Sequence, residues 1–111
     1  GHLLQRKVDP LWPASLSAVH MRLLREELGW NGLVVADDMQ MGALHPLGAV
    51  ETLMLRALSV GVDLFLTGNW LVYDLDLPQR WHKMMIEKLK RDEMIRARLQ
   101  EATSRQQRLF A

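Results

Sequence analysis

The stretch Gly32-Leu33-Val34-Val35-Ala36-Asp37-Asp38-Met39-Gln40-Met41 constrains the fold of this chain more than any other. It opens with a glycine and a short apolar run rich in β-branched residues, the pattern of a buried parallel strand over Leu33–Ala36. Two adjacent acids stand where that strand ends. Parallel α/β folds gather their functional groups at the carboxyl ends of strands, so Asp37 and Asp38 are candidate site residues. The plain alternative is that one of them caps a helix or solvates a loop.

The flanking sequence alternates helix and strand. Residues 1–15 are irregular, because Pro10 and Pro13 exclude a helix and hold Val8 to Pro13 extended. A loop position is the ordinary reading for His2, with the end of a preceding strand as the other. Ser17 is the expected N-cap of a helix reaching Leu28, with Leu16 and Met21 spaced as a hydrophobic staple. Val19, Leu23, Leu24 and Leu28 form its apolar face, Gly29 ends it, and His20 within it reads as a surface or boundary residue and not a ligand. After the acids, a loop from Met39 to Leu47 carries Gly42, His45 and Pro46. Val50, Leu53, Met54, Ala57 and Leu58 then repeat at helical spacing, giving a helix from about Gly48 to Val60 that Gly61 terminates. Val62–Thr67 is a second apolar strand, stopped by Gly68-Asn69. Roughly 30 residues separate the two strands, the repeat of a βα unit.

The stretch from Trp70 to Leu77 carries no clear period. Pro78 suits the first position of a third helix, with Trp81, Met84, Met85 and Leu89 as its stripe. Methionines and a tryptophan at that spacing are core filling. Arg91-Asp92 interrupts the pattern, and Ile95, Leu99, Ala102 and Leu109 mark a final helix. Its charges alternate in sign, which makes a solvated face and not a basic patch.

Composition removes several function classes. With 111 residues the chain is one domain at most, and a closed (β/α) barrel needs at least about 200. A formal charge of +1 gives no reason to expect nucleic acid as a partner. The absence of cysteine excludes disulfides and thiolate metal sites. No apolar run approaches the roughly 20 residues of a membrane span, and no signal peptide is visible, which favours the cytoplasm. The opening Gly1-His2-Leu3-Leu4 reads as a cut from something longer.

Two chemistries suit paired acids at a strand end. A single ionised Asp can attack an anomeric carbon while a second group protonates the leaving oxygen, as in retaining glycosidases. Clustered carboxylates can instead bind magnesium beside a phosphate-accepting Asp, as in response-regulator receivers. A receiver's acceptor should end the next strand, but that strand ends Leu66-Thr67-Gly68. Asp63 lies at its beginning, on the wrong face.

Three segments together closely resemble glycoside hydrolase family 3. They are Asp9-Pro10-Leu11-Trp12-Pro13-Ala14-Ser15-Leu16-Ser17, Leu23-Leu24-Arg25-Glu26-Glu27-Leu28-Gly29-Trp30-Asn31-Gly32, and Val34-Val35-Ala36-Asp37-Asp38-Met39-Gln40-Met41. Ala57-Leu58-Ser59-Val60-Gly61-Val62-Asp63-Leu64 looks like the family's helix leading into strand eight. The likeness spans about residues 1–69 and continues more weakly through the last two helices. The nearest branch is the β-N-acetylhexosaminidases of bacterial cell-wall recycling.

The resemblance implies an α/β fold: the C-terminal fragment of a (β/α)8 TIM-type barrel, with two parallel βα units and C-terminal helices, residues 1–111 being part of the catalytic domain. It implies that Asp37 is the catalytic nucleophile and Asp38 a supporting acid. Met41 would wall the sugar pocket and His2 would face it, both as substrate-binding residues. Ala36 replaces the family's usual serine. The implied substrate is a terminal β-linked N-acetylglucosamine, with no metal and no cofactor. The branch takes its general acid from a histidine–aspartate loop earlier in the barrel, and no motif here matches it; His45 does not occupy that position. The chain alone is therefore expected to be inactive, and to associate with itself or with the missing barrel half.

Overall fold

The computed structural model describes residues 2–70 and 73–110. Asp9 organises the entry of the chain. Its Oδ1 accepts from the N–H groups of Leu11 and Trp12 at 2.9 and 3.0 Å, and its Oδ2 accepts from the Ser17 hydroxyl at 2.6 Å. The two prolines hold off helix until one 3₁₀ turn, Ala14–Leu16. Ser17 then caps α1 (Ala18–Arg22), its Oγ accepting from the His20 N–H at 3.2 Å. Such a cap contributes about 1 kcal/mol. Leu16 and Met21, the expected staple pair, are buried in one cluster.

The sequence places Leu28 on the buried face, and the structure does not. Past Arg22 the helix widens into a π-helical turn, Leu23–Glu27, with the Leu28 N–H reaching back to Leu23 O at 3.0 Å. The wider turn breaks the 3.6-residue period on which the apolar stripe was counted. Leu28 swings out to 77% exposure. Gly29 follows in the left-handed region at φ 68°, the C′ role expected of it.

Two strands, β1 (Val35–Asp38) and β2 (Leu64–Leu66), pair in parallel. β1 starts two residues later than the apolar run suggests and takes in both acids. Val34 is spent otherwise: its carbonyl accepts from the N–H of both Asp63 and Leu64, and its own N–H donates to Asp63 Oδ2 at 3.0 Å. Ladder pairing begins only beyond it. Between the strands runs α2 (Val50–Val60), after a 3₁₀ stretch, Gly42–Leu47, in the expected loop. The left-handed Gly48 and extended Ala49 delay its start from the predicted Gly48. Its stripe is as expected, with Leu53, Met54, Ala57 and Leu58 all buried. Each such large apolar side chain contributes at most about 1.5–3 kcal/mol. Gly61 ends α2 at φ 135°, where a Cβ would stand 3.3 Å from Met21.

Two helices close the back. α3 (Leu77–Arg91) begins one residue before Pro78 and sets Trp81 edge-on to Phe65, ring centres 5.6 Å apart. Asp92 then accepts from the N–H groups of Met94 and Ile95 and so caps α4 (Glu93–Phe110). Ile95 and Ala102 are buried, but Leu109 is 62% exposed and is not core. The last turn of α4 runs on beyond Gln106, whose amide bonds Asp63 O at 2.8 Å. The core forms two clusters, with Phe65 and Trp81 packed against both. Of the Trp70–Leu77 stretch, Leu71 and Val72 lie outside the described residues.

Candidate active site at the strand ends

The register of β1 against β2 slips by one residue at the acids. Val35 pairs with Leu64 and Ala36 with Phe65, but the next partner of Leu66 is Asp38, so Asp37 is an inserted residue. A bulge of this kind bends the strand and re-aims the side chain it carries. Ala36 is buried, whereas Asp37 is exposed. Asp37 Oδ1 accepts from the Asp38 N–H at 2.8 Å. Ala36 is small enough to fit this buried position.

Asp38 is held on several sides. Its Oδ1 accepts from the Gln40 N–H at 2.9 Å, and its carbonyl accepts from the Met41 N–H at 3.1 Å. A Cβ on Gly68 would stand 2.5 Å from Asp38 Oδ2 and 2.7 Å from Trp70 Cδ1. Any side chain at Gly68 would have to displace the carboxylate or the indole.

His2 reaches across to the same place. Its Nε2 lies 2.8 Å from Asp38 O and its Nδ1 2.7 Å from Ser15 Oγ. A carbonyl only accepts, so Nε2 carries a proton and donates it to Asp38 O, while Nδ1 shares a hydrogen bond with the Ser15 hydroxyl. His2 is thus not a loose loop residue: both ring nitrogens are engaged and clamp the backbone of Asp38. His2 and Asp37 line one groove of ≈ 600 Å³ beside β1, walled below by Leu23, Leu24, Val34 and Val35. Met41 is half-buried, one turn past the acids.

Asp63 sits at the opposite, amino end of β2, away from Asp37. Its side chain is fully buried and bonds three guanidinium groups: Arg25 at 2.8 Å, Arg98 at 3.2 Å and Arg105 at 2.9 Å. Burial, and then the charge of Arg105, lower the pKa of Arg25 from its ordinary value. Asp63 therefore ties the π-helical turn after α1, the start of β2 and α4 together, and is not placed to receive a phosphoryl group. Among the described residues no group of three or more His, Cys, Asp or Glu is placed to hold a metal ion.

Comparison with known proteins decides the lineage. The profile of the Glycosyl hydrolase family 3 N terminal domain matches residues 1–109, beyond the stretch that carries the motifs. This chain belongs to glycoside hydrolase family 3.

Family 3 relatives include the Beta-hexosaminidase of Idiomarina loihiensis, 32% identical over an alignment covering 82% of this chain and 33% of that protein. The Beta-hexosaminidase of Hydrogenovibrio crunogenus is 38% identical over 70 residues, 62% of this chain and 19% of its own length. Two solved structures share the fold. Zn bound CbsA from Thermotoga neapolitana superposes with a TM-score of 0.65 at 30% identity, covering 82% of this chain and 19% of that one. M tuberculosis LpqI also gives 0.65, at 26% identity, covering 85% and 28%. The chain thus spans a third or less of the length of these curated relatives.

Within the family 3 chain, three features escaped the sequence pattern. Gln40 sits at the variable position of the acid motif, yet it is buried and its Oε1 accepts from the Asn69 N–H at 2.7 Å. It stitches the two strand-end loops together. Asn69 itself adopts φ 52°, and its Oδ1 accepts from the Asp74 N–H at 2.5 Å. Gly68-Asn69 was legible as a strand stop, but nothing local signals its partners. His45 Nε2 lies 3.2 Å from Gln40 O, a backbone contact that bears on loop shape.

Proposed function

We propose that this chain is the C-terminal part of a family 3 (β/α)8 barrel whose catalytic nucleophile is Asp37. The observation that carries the reading is the bulge: of two neighbouring carboxylates, Asp38 accepts from the Gln40 N–H and Asp37 is the inserted residue with an exposed side chain. The parallel β1–α2–β2 unit fits such a barrel. So does the groove beside β1, an apolar slot between an unpaired strand edge and a helix, of the kind a further parallel strand fills.

In the proposed reaction Asp37 attacks the anomeric carbon of a terminal β-linked N-acetylglucosaminide. The glycosidic bond breaks, and the departing oxygen takes a proton from an acid outside these 111 residues. Water then releases the sugar from the aspartyl ester with net retention. Asp38 and His2 position the strand end, Met41 walls the sugar, and neither metal nor cofactor enters. General acid catalysis contributes about 10²–10⁴-fold, and orientation by the rest of the barrel contributes more. The isolated chain is accordingly inactive on ordinary substrates.

The test supplies the remaining barrel in trans and follows an activated aryl β-N-acetylglucosaminide. Asp37→Asn should lower turnover by more than about 10³-fold, and Asp38→Asn should retain part of it. Azide added to Asp37→Gly should restore turnover and give the inverted glycosyl azide. Turnover that survives Asp37→Asn would sink the assignment. A second reading, a non-catalytic fragment that self-associates, is favoured by one observation: Val35, Leu64 and Leu66 leave an apolar sheet face in water.

A further inference from the structure

The loop after β2 carries two aromatic side chains that neither the core nor the proposed chemistry uses. Trp70 is 73% exposed and Tyr73 77% exposed. Both follow the carboxyl end of β2, the end at which β1 presents Asp37 and Asp38. Trp70 is thus an exposed aromatic at the end of the sheet that carries both acids.

A methyl on Gly68 would stand 2.7 Å from Trp70 Cδ1, 3.2 Å from Trp70 Nε1 and 2.5 Å from Asp38 Oδ2. The indole and the carboxylate thus converge on one side-chain-free point. Asp38 Oδ1 is already used by the Gln40 N–H, and Oδ2 is the oxygen nearest this point. The Gln40–Asn69 bond sets the loop from its buried side, one residue before Trp70.

We infer that Trp70 is the platform on which a pyranose ring of the substrate stacks, with Asp38 Oδ2 accepting from a hydroxyl at the edge of the same ring. The chemistry is complementary. A pyranose offers a face of C–H groups to an aromatic plane and a rim of hydroxyl donors to a carboxylate. The indole N–H adds a donor for a ring or acetamido oxygen. This is a specificity-determining contact, and it rests on the carbohydrate reading above; it assigns Trp70 no part in bond breaking.

The experiment is a titration of the 111-residue chain with N,N′-diacetylchitobiose, followed by NMR of the indole and backbone N–H signals. The four tryptophans give four indole signals, and Trp70→Ala identifies one of them by its loss. The expected result is a saturable shift of the Trp70 indole together with the Gly68 and Asp38 amides. Trp70→Ala should weaken the dissociation constant read at Gly68 by roughly two- to twelvefold, and Trp70→Phe should restore most of it. Because Trp70 is exposed, neither variant endangers folding. Equal affinity in wild type and Trp70→Ala overturns the platform while leaving Asp37 as nucleophile untouched. No shift at any described residue up to solubility overturns it too, and the azide rescue of Asp37→Gly then decides the catalytic reading separately.

Discussion

Asp63 and Arg105 lie 2.9 Å apart across 42 residues of chain, and the carboxylate of the pair has no exposed surface. Arg25 and Arg98 bond the same carboxylate from other directions. The acids at the carboxyl end of β1 are therefore held from the opposite end of the sheet.

Asp63→Asn should destabilise the chain by about 3–5 kcal/mol, because it leaves three guanidinium groups packed against an uncharged amide. Urea unfolding followed by circular dichroism measures this. A loss below about 1 kcal/mol would mean that the cluster is a surface network.

Acid should weaken the N-terminal loop through Asp9. The Ser17 hydroxyl, then the Leu11 N–H, hold its carboxyl below the ordinary 3.8. The folded state therefore binds fewer protons than the unfolded one. The contribution is present in full above the unfolded value and is lost as pH falls through the lowered one. Thermal midpoints measured between pH 6 and 2, in wild type and Asp9→Asn, should converge toward the acid end.

Gly68→Ala should displace Asp38 Oδ2 or the Trp70 ring, since its methyl would stand 2.5 and 2.7 Å from them. The change should also shift the Gln40 and Asn69 amide signals. A variant with wild-type stability and an unchanged spectrum would show that the approach is looser than 2.5 Å.

Val35 and Leu66 are each 49% exposed on the same sheet, beside an unpaired strand edge. A two-stranded sheet with one bare face is marginal in water. The isolated chain is expected to sediment as a dimer or larger species, and Leu66→Lys should shift it toward monomer. A wild-type monomer that fails to bind a hydrophobic dye would refute this.

What the sequence determined by itself is local. The 3.6-residue stripe of α2 needs only its own spacing, and the Ser17 cap and Gly29 stop need only their neighbours. The two acids at a strand end are equally plain, and with their flanking motifs they name the family. Tertiary structure decided which residues share a partner. Nothing near Asp63 announces Arg25, Arg98 and Arg105, because ion pairing across 35–42 residues depends on how elements dock. Leu28 and Leu109 show the reverse failure: each fits a helical stripe, but a π turn and an overrunning last turn carry them into solvent. The bulge at Asp37 is the decisive case. Both acids obey the same local pattern, and only the pairing of β1 with the shorter β2 leaves one inserted and exposed while His2 and the Gln40 N–H hold the other.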